Sequence, residues 1–251
     1  MAVYMVSDTH LGLILGDKTP KEREKRFVDW LISIQKDCTR LMLVGDIFDF
    51  FFEWKRVVPK GYVRTLATLA SMCEKGIEVD FFPGNHDLWV TDYLTLELGI
   101  TVQREPLVEV IEGKKFFISH GDQHVDLNFL DDIISVTFRS AIARAIGSRL
   151  IHPDFLMRFG LTWSRHNRLK RGGVAHIFGG EDDFLVKFSR KYLEKVDPTI
   201  DYFVFGHEHT PLIYPLNPST KVVILGEWIE HPVVGRIQES DNQGEVVLLS
   251  V

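Results

Sequence analysis

Residues 77–87 read Ile77-Glu78-Val79-Asp80-Phe81-Phe82-Pro83-Gly84-Asn85-His86-Asp87. An apolar run that stops abruptly at a glycine and three polar side chains predicts a buried strand delivering functional groups at its C-terminal end. Upstream the same pattern occurs twice. Ala2 to Val6 breaks into Ser7-Asp8-Thr9-His10, and Arg40 to Val44 breaks into Gly45-Asp46. Between these runs, Thr19, Pro20 and Glu22 form a capping-box start with proline at the first helical position, and Phe27, Trp30, Leu31 and Ile34 follow at helical spacing. Gly61 to Glu74 reads as a second helix. Strand, helix, strand, helix, strand predicts a parallel sheet with crossover helices.

Downstream of Val102 the pattern changes to short strands. Pro106 to Glu112 and Lys115 to Ser119 flank a Glu112-Gly113 turn and lead into His120-Gly121-Asp122. Further runs near Tyr202 to Phe205, Leu212 to Tyr214, Val222 to Leu225, Val233 to Ile237 and Glu245 to Ser250 predict a second, mixed or antiparallel sheet. The first of them ends in Gly206-His207-Glu208-His209. Residues 125–182, rich in helix formers and poor in strand signals, interrupt this pattern and read as an inserted helical lid. No repeat or linker divides the chain, and its 251 residues lie at the upper end of what one core supports, so one domain over 1–251 is expected.

Hydrophobic residues at 45%, charged residues at 25% and a mean hydropathy of zero describe an ordinary folded protein. A formal net charge of −6, with no extended basic groove evident, excludes a general polyanion binder and disfavours a nuclease, so no nucleic-acid partner is expected. Cys38 and Cys73 have no CxxC spacing, which supports neither a disulfide framework nor a cysteine zinc site and fits a reducing cytoplasm. The N-terminal apolar run is too short for a signal peptide, and no stretch reaches the roughly 18 uncharged apolar residues of a membrane span. Any membrane contact is therefore expected from the surface.

Each of the five polar clusters follows an apolar strand, and in open sheets with parallel strands ligands bind just beyond the carboxyl ends, so all five can meet at one edge. A lone Gly-Asp or His-Gly-Asp is usually only a strand-to-turn junction. Together the clusters offer nitrogen and oxygen donors without cysteine, which suits divalent manganese, iron or zinc, and they offer more donors than one ion accepts. Two ions roughly 3.5 to 4 Å apart sharing one carboxylate clamp the attacking and leaving oxygens of an in-line displacement at phosphorus.

D-x-H, G-D, G-N-H-D, H-G-D and G-H-x-H, in this order from Asp8 to His209, resemble the signature of the calcineurin-like metallophosphoesterase superfamily. The resemblance implies an α/β, four-layer αββα sandwich of two mixed sheets. It implies that Asp8, His10 and His209 hold one metal and Asn85, His120 and His207 the other, with Asp46 bridging. It also implies that His86 contacts the scissile phosphate or protonates the leaving oxygen, with Asp87 as its orienting partner. Asp49 and Asp122, beside ligands, are candidates to hydrogen-bond metal-bound groups. His124, His152, His166, His176 and His231 belong to no motif and read as surface or core histidines.

Between Ile133 and Ala175 the charged residues are Arg139, Arg144, Arg149, Arg158, Arg165, Arg168, Lys170 and Arg171 against Asp154, interleaved with many apolar side chains. A basic and apolar helix set in an acidic chain reads as lipid-facing, the alternative being apolar glue beneath a solvated face. This insertion, with Gly45-Asp46-Ile47-Phe48-Asp49-Phe50-Phe51-Phe52-Glu53-Trp54, is similar to the UDP-2,3-diacylglucosamine pyrophosphatase family of lipid A biosynthesis. That resemblance implies a manganese-dependent enzyme that hydrolyses UDP-2,3-diacylglucosamine to UMP and 2,3-diacylglucosamine 1-phosphate. It implies substrate contacts from Asn85, His86, Asp122, Arg165 and Arg168, and a cytoplasmic enzyme meeting the inner-leaflet membrane surface peripherally. Many members of that family carry arginine where this chain has His86. A related metallophosphoesterase acting on another nucleotide or phosphodiester, and a metal-binding scaffold recruiting partners through Phe50 to Trp54, are the competing expectations.

Overall fold

The computed structural model describes residues 2–14, 19–124, 140–170, 177–240 and 243–251. Its first sheet has six strands: β1 (Ala2–Val6), β2 (Cys38–Val44), β3 (Glu78–Phe82), β4 (Thr101–Val102), β10 (Val233–Ser240) and β11 (Gln243–Ser250), in the order β11-β10-β1-β2-β3-β4. β1 to β4 pair in parallel, whereas β10 and β11 add antiparallel. The second sheet has five strands: β5 (Leu107–Ile111), β6 (Lys114–Ile118), β7 (Tyr202–Phe205), β8 (Leu212–Pro215) and β9 (Lys221–Ile224), in the order β5-β6-β7-β9-β8. β6, β7 and β9 are parallel and the two edge strands antiparallel, so both sheets are mixed, as expected.

The layering follows from the two-residue side-chain period of a strand. In β1, Ala2, Tyr4 and Val6 face one core with Leu41 and Leu43 of β2, whereas Val3 and Met5 face another with Met42 and Val44. The first core is closed by α1 (Pro20–Ile34), α2 (Val63–Glu74) and α3 (Tyr93–Leu98), through Phe27, Trp30, Leu31, Leu69, Met72, Leu94 and Leu98. The second lies between the sheets, where Val3, Met5, Met42 and Val44 meet Phe116, Ile118, Val204 and Val223. The opposite faces of β6, β7 and β9 present Phe117, Phe203, Phe205, Val222 and Ile224 to the helix Phe184–Lys195. The result is helix, sheet, sheet, helix, with hydrophobic burial on both faces of each sheet.

Local signals in the chain act as expected. Thr19 accepts from the Glu22 amide at 3.3 Å while its own amide donates to Glu22 Oε2 at 2.7 Å, which completes the capping box. Glu112 (φ 48°) and Gly113 (φ 76°) make the two left-handed positions of a tight hairpin turn between β5 and β6.

Between β6 and β7 lie α4 (Ala141–Leu150) and α5 (Pro153–Lys170), followed by the helix of the outer layer, here α6 (Phe184–Lys195). Within the expected insertion, residues 125–139 and 171–176, including Arg139, Arg171 and His176, lie outside the described residues. α5 rests on a separate aromatic platform of Phe50, Phe52, Trp54 and Trp89 through Leu156 and Met157. That platform is buried, which removes Phe50 to Trp54 as a partner-recruiting surface: the insertion already covers it.

Candidate metal centre

The strands end where the polar clusters begin, and backbone hydrogen bonds carry the pairing past the last strand residues. Asp8 N–H donates to Gly45 O at 3.1 Å, His10 N–H to Asp46 O at 3.0 Å, and Gly206 N–H to His120 O at 2.9 Å. Two further bonds stitch the sheets together at this edge: His120 Nδ1–H to Val44 O at 3.0 Å and His207 N–H to Asp8 Oδ2 at 2.9 Å. Asp8, His10, Asp46, His207 and His209 all sit in the left-handed region, with φ of 53°, 41°, 52°, 69° and 60°. A side chain held there costs about 1 to 3 kcal/mol, a strain that persists where surrounding structure over-determines it and that clusters at functional sites.

The glycines of the motifs have a steric reason. A Cβ at Gly45, whose φ is +81°, would run into the His120 ring, and one at Gly84 would run into the carboxylate and amide of Asp46. Both positions bring backbone to within contact of a functional side chain, which glycine alone allows.

The side chains form two groups. In the first, Asp8 Oδ1 lies 3.3 Å from His209 Nε2 and 3.6 Å from His10 Nε2. The second joins Asp46, His120 and His207, with Asp46 Oδ2 3.5 Å from His120 Nε2. Asp46 lies between the groups, because the same oxygen is 3.8 Å from His10 Nε2. Ligand atoms each about 2.1 Å from one ion lie about 3 to 3.5 Å from one another, so these spacings fit metal coordination. Asp8 Oδ1, Asn85 Oδ1 and His120 Nε2 are buried without a hydrogen-bond partner among the described residues, which is the signature of atoms directed at a cation. Asn85 thus belongs to the same edge.

Electrostatics point the same way. Burial, reinforced by the charge of Asp46, pushes the Asp8 carboxyl up to about 7 against the pull of His120. Burial opposes ionisation of Asp46 too, but His120, His86 and His10 around it hold it well below the usual carboxylate range. For His120 burial opposes the charged ring, and the neighbouring Asp46 outweighs burial and holds its pKa well above the usual imidazole range. Two carboxylates this close ionise together only beside added positive charge, which divalent cations provide.

A pH dependence follows for the metal-free protein. Asp8 and Asp87, each raised to about 7, keep protons in the folded state that the unfolded chain has released above about pH 4, so stability falls as pH rises across that window. The raised His120 acts in the same direction, since the stability tied to its charge is lost as pH rises through its folded pKa. Thermal unfolding in chelator is expected to show a lower Tm at pH 8 than at pH 5, with divalent metal removing the difference; a chelated protein as stable at pH 8 as at pH 5 would refute this electrostatic account.

Around the two groups, the roles of the neighbouring acids differ from expectation. Asp87 is fully buried and accepts backbone N–H bonds from Ile47 (2.7 Å) and Gly84 (2.7 Å), with Asp46 and Phe48 at 3.3 Å. It therefore ties the loop after β2 to the loop after β3, and orienting His86 falls to Asp49. His86 Nδ1–H donates to Asp49 O at 2.7 Å, and Asp49 Oδ1 lies 4.0 Å from the same nitrogen. The His86 ring lies between the ring of His10, 4.9 Å away between centroids, and that of Trp163, 5.6 Å away.

Trp163 comes from α5, and so does Ser164, whose Oγ–H donates to Asp49 Oδ1 at 2.8 Å. The sequence offered no signal for this bond: Trp163 read as one apolar residue of the insertion and Ser164 as none. Asp122 follows His120 in a single 3-10 turn (Asp122–His124), and its charge adds to the rise of the His120 pKa. Arg165 is exposed on α5, and the side chain of Arg168 lies outside the described residues. His152, His166 and His231 are exposed, in keeping with surface roles.

Residues 1–211 match the calcineurin-like phosphoesterase family. The chain is 33% identical over 241 residues, 91% of each chain, to a Porphyromonas gingivalis protein named UDP-2,3-diacylglucosamine hydrolase. It is 24% identical over 254 residues, 96% of each chain, to a Haemophilus influenzae protein of the same name. Among solved structures it is similar to Yfce, a phosphoesterase from E. coli, at a TM-score of 0.45 and 13% identity, covering 100% of this chain and 98% of that one. The aspartate and histidine groups brought together at the sheet edge could hold divalent metal, and the chain belongs to the calcineurin-like phosphoesterase family as a metal-dependent phosphoester hydrolase.

Proposed function

We propose that this enzyme hydrolyses the pyrophosphate bond of UDP-2,3-diacylglucosamine, giving UMP and 2,3-diacylglucosamine 1-phosphate. The observation that carries the reading is the relation along 91% of the chain to the P. gingivalis protein named for that substrate. In this reading Asp8, His10 and His209 hold one divalent ion, Asn85, His120 and His207 hold a second, and Asp46 bridges them, with manganese as the metal. The pair of ions would supply Lewis-acid neutralisation of charge on the phosphoryl oxygens. His86 has its Nδ1–H committed to Asp49 O, so a proton on Nε2 makes it a cation able to stabilise the developing charge and to pass that proton to the leaving oxygen.

Residues 125–182 act as a lid on a single domain spanning 1–251. The outer faces of α4 and α5 support a lipid substrate: Leu150 is 79% and Phe155 67% exposed, with Ile146 and Phe159 also exposed. Arg149, Arg158 and Arg165 are exposed among them. Apolar side chains interleaved with cations suit the interface of an anionic membrane, and this face would contact the inner leaflet peripherally. No helix among the described residues is long and apolar enough to cross a membrane. Arg165, Arg168 and Asp122 would contact the substrate.

The test is UMP release from UDP-2,3-diacylglucosamine with manganese, for wild type and His120→Ala in parallel. UMP from wild type and its loss in the variant are expected. Hydrolysis of simple phosphodiesters without UMP release would leave the family chemistry intact and overturn the lipid substrate.

A further inference from the structure

Ser164 is fully buried in the face of α5 that carries Leu156, Met157, Gly160 and Trp163, whereas Arg158, Phe159, Leu161, Thr162 and Arg165 are exposed. The spacing of three and four residues on the inward face is that of one helix stripe. Two contacts seat this stripe against the loop after β2. Gly160 packs directly on the Phe50 ring, where a Cβ would collide, and Ser164 Oγ–H donates to Asp49 Oδ1 at 2.8 Å. The Asp49 oxygen that accepts this bond also lies 3.6 Å from His10 Nδ1 and 4.0 Å from His86 Nδ1.

Asp49 thus faces the inner nitrogens of two imidazoles whose outer nitrogens face the carboxylates of the centre. His10 Nε2 is 3.6 Å from Asp8 Oδ1 and 3.8 Å from Asp46 Oδ2, and His86 Nε2 is 3.9 Å from Asp46 Oδ2. The same three side chains, His10, Asp49 and His86, could be taken for a further cation site. Against that, His10 has its other nitrogen directed at Asp8 and Asp46, and His86 Nδ1 is committed to Asp49 O at 2.7 Å. Asp49 therefore meets both rings, holding His86 Nδ1–H with its backbone oxygen and facing His10 Nδ1 with its carboxylate at 3.6 Å, and such an outer group acts well only if it is itself held.

We propose that Ser164 is a positioning residue of the active site: through its bond to Asp49 it aligns His10 and His86, so that the insertion helix α5 completes the metal centre as well as covering it. The inference rests on the placing of His10 as a metal ligand and His86 as proton donor in the reading above. It does not depend on which phosphoester is cleaved. Its consequence is coupling: any displacement of α5, by substrate or by a lipid surface, loosens Asp49 and with it the two rings.

The test is Ser164→Ala, read three ways. Manganese binding to substrate-free protein by isothermal titration is expected to weaken about tenfold, within the 10- to 100-fold range for lost outer-shell partners. With bis(p-nitrophenyl) phosphate, kcat is expected to fall by a similar factor while KM moves less than about twofold. In a double-mutant cycle, adding Ser164→Ala to Asp49→Ala is expected to cost nothing further, because the serine acts only through the aspartate. Wild-type manganese affinity in Ser164→Ala, or losses that add in the double variant, would overturn the proposal. A metal-binding defect in Ser164→Ala with no UMP released by wild type would leave Ser164 in place and remove only the lipid substrate.

Discussion

Asp46→Ala is expected to lower kcat by about 10²- to 10³-fold, the loss that follows removal of one preorganised electrostatic group from a water-poor site. The physical reason is position. Asp46 Oδ2 lies within 3.5 to 3.9 Å of the Nε2 atoms of His120, His10 and His86, and Oδ1 accepts the His86 amide at 2.9 Å. Removing it takes away the negative charge that lets three imidazoles point at one spot, together with the bond that fixes the loop carrying His86. Metal content by elemental analysis is expected to fall with activity. Asp46→Asn keeps the shape and the bond to His86 while losing the charge, so it separates the two effects: folding as wild type with metal content reduced. Full metal loading and full turnover in Asp46→Ala would remove Asp46 from the centre.

Asp87→Ala is expected to have the largest effect on stability, on the order of 4 kcal/mol, because it leaves several buried backbone N–H groups without an acceptor and each such group costs about 1 to 3 kcal/mol. Two of these bonds are short, at 2.7 Å: the one from Ile47 joins the loop after β2 to the loop after β3, and the one from Gly84 braces the loop after β3 from within. Chemical denaturation at pH 8 with metal present checks this, since at that pH the carboxyl, raised to about 7 by burial and by Asp46, is ionised. The result also distinguishes two roles. An aspartate that oriented His86 would lower kcat and spare stability when removed, whereas a loop clamp lowers stability first, and a variant as stable as wild type with a low kcat would restore the orienting role.

Much of the architecture was legible in the sequence because strand burial imposes a two-residue period and helix burial one of 3.6. β1, β7 and the α1 cap appear where the patterns predict them, the two-residue β4 was not predicted, and the other strands differ from prediction by one to three residues at their ends. α3 and α6 went unread. α3 has six residues, too few for periodicity to show, and α6 begins at the Asp183 cap just past Gly179-Gly180, the end of the expected insertion. Asp183 accepts from Leu185 N–H at 2.9 Å and caps the N-terminus of α6.

The order of the five polar clusters alone determined the family and the edge of the fold at which its chemistry gathers, because a strand that stops at a polar residue can place that residue only beyond its carboxyl end. What the tertiary structure decided is how those residues act on each other. Asp87 clamps loops and Asp49 orients His86 because hydrogen-bond acceptors are assigned by three-dimensional reach, not by adjacency to a motif histidine. Ser164 meets Asp49 across 115 residues of chain. The left-handed backbone at Asp8, His10, Asp46, His207 and His209 is likewise imposed by the packing of two sheets against one another, a constraint that no local propensity encodes.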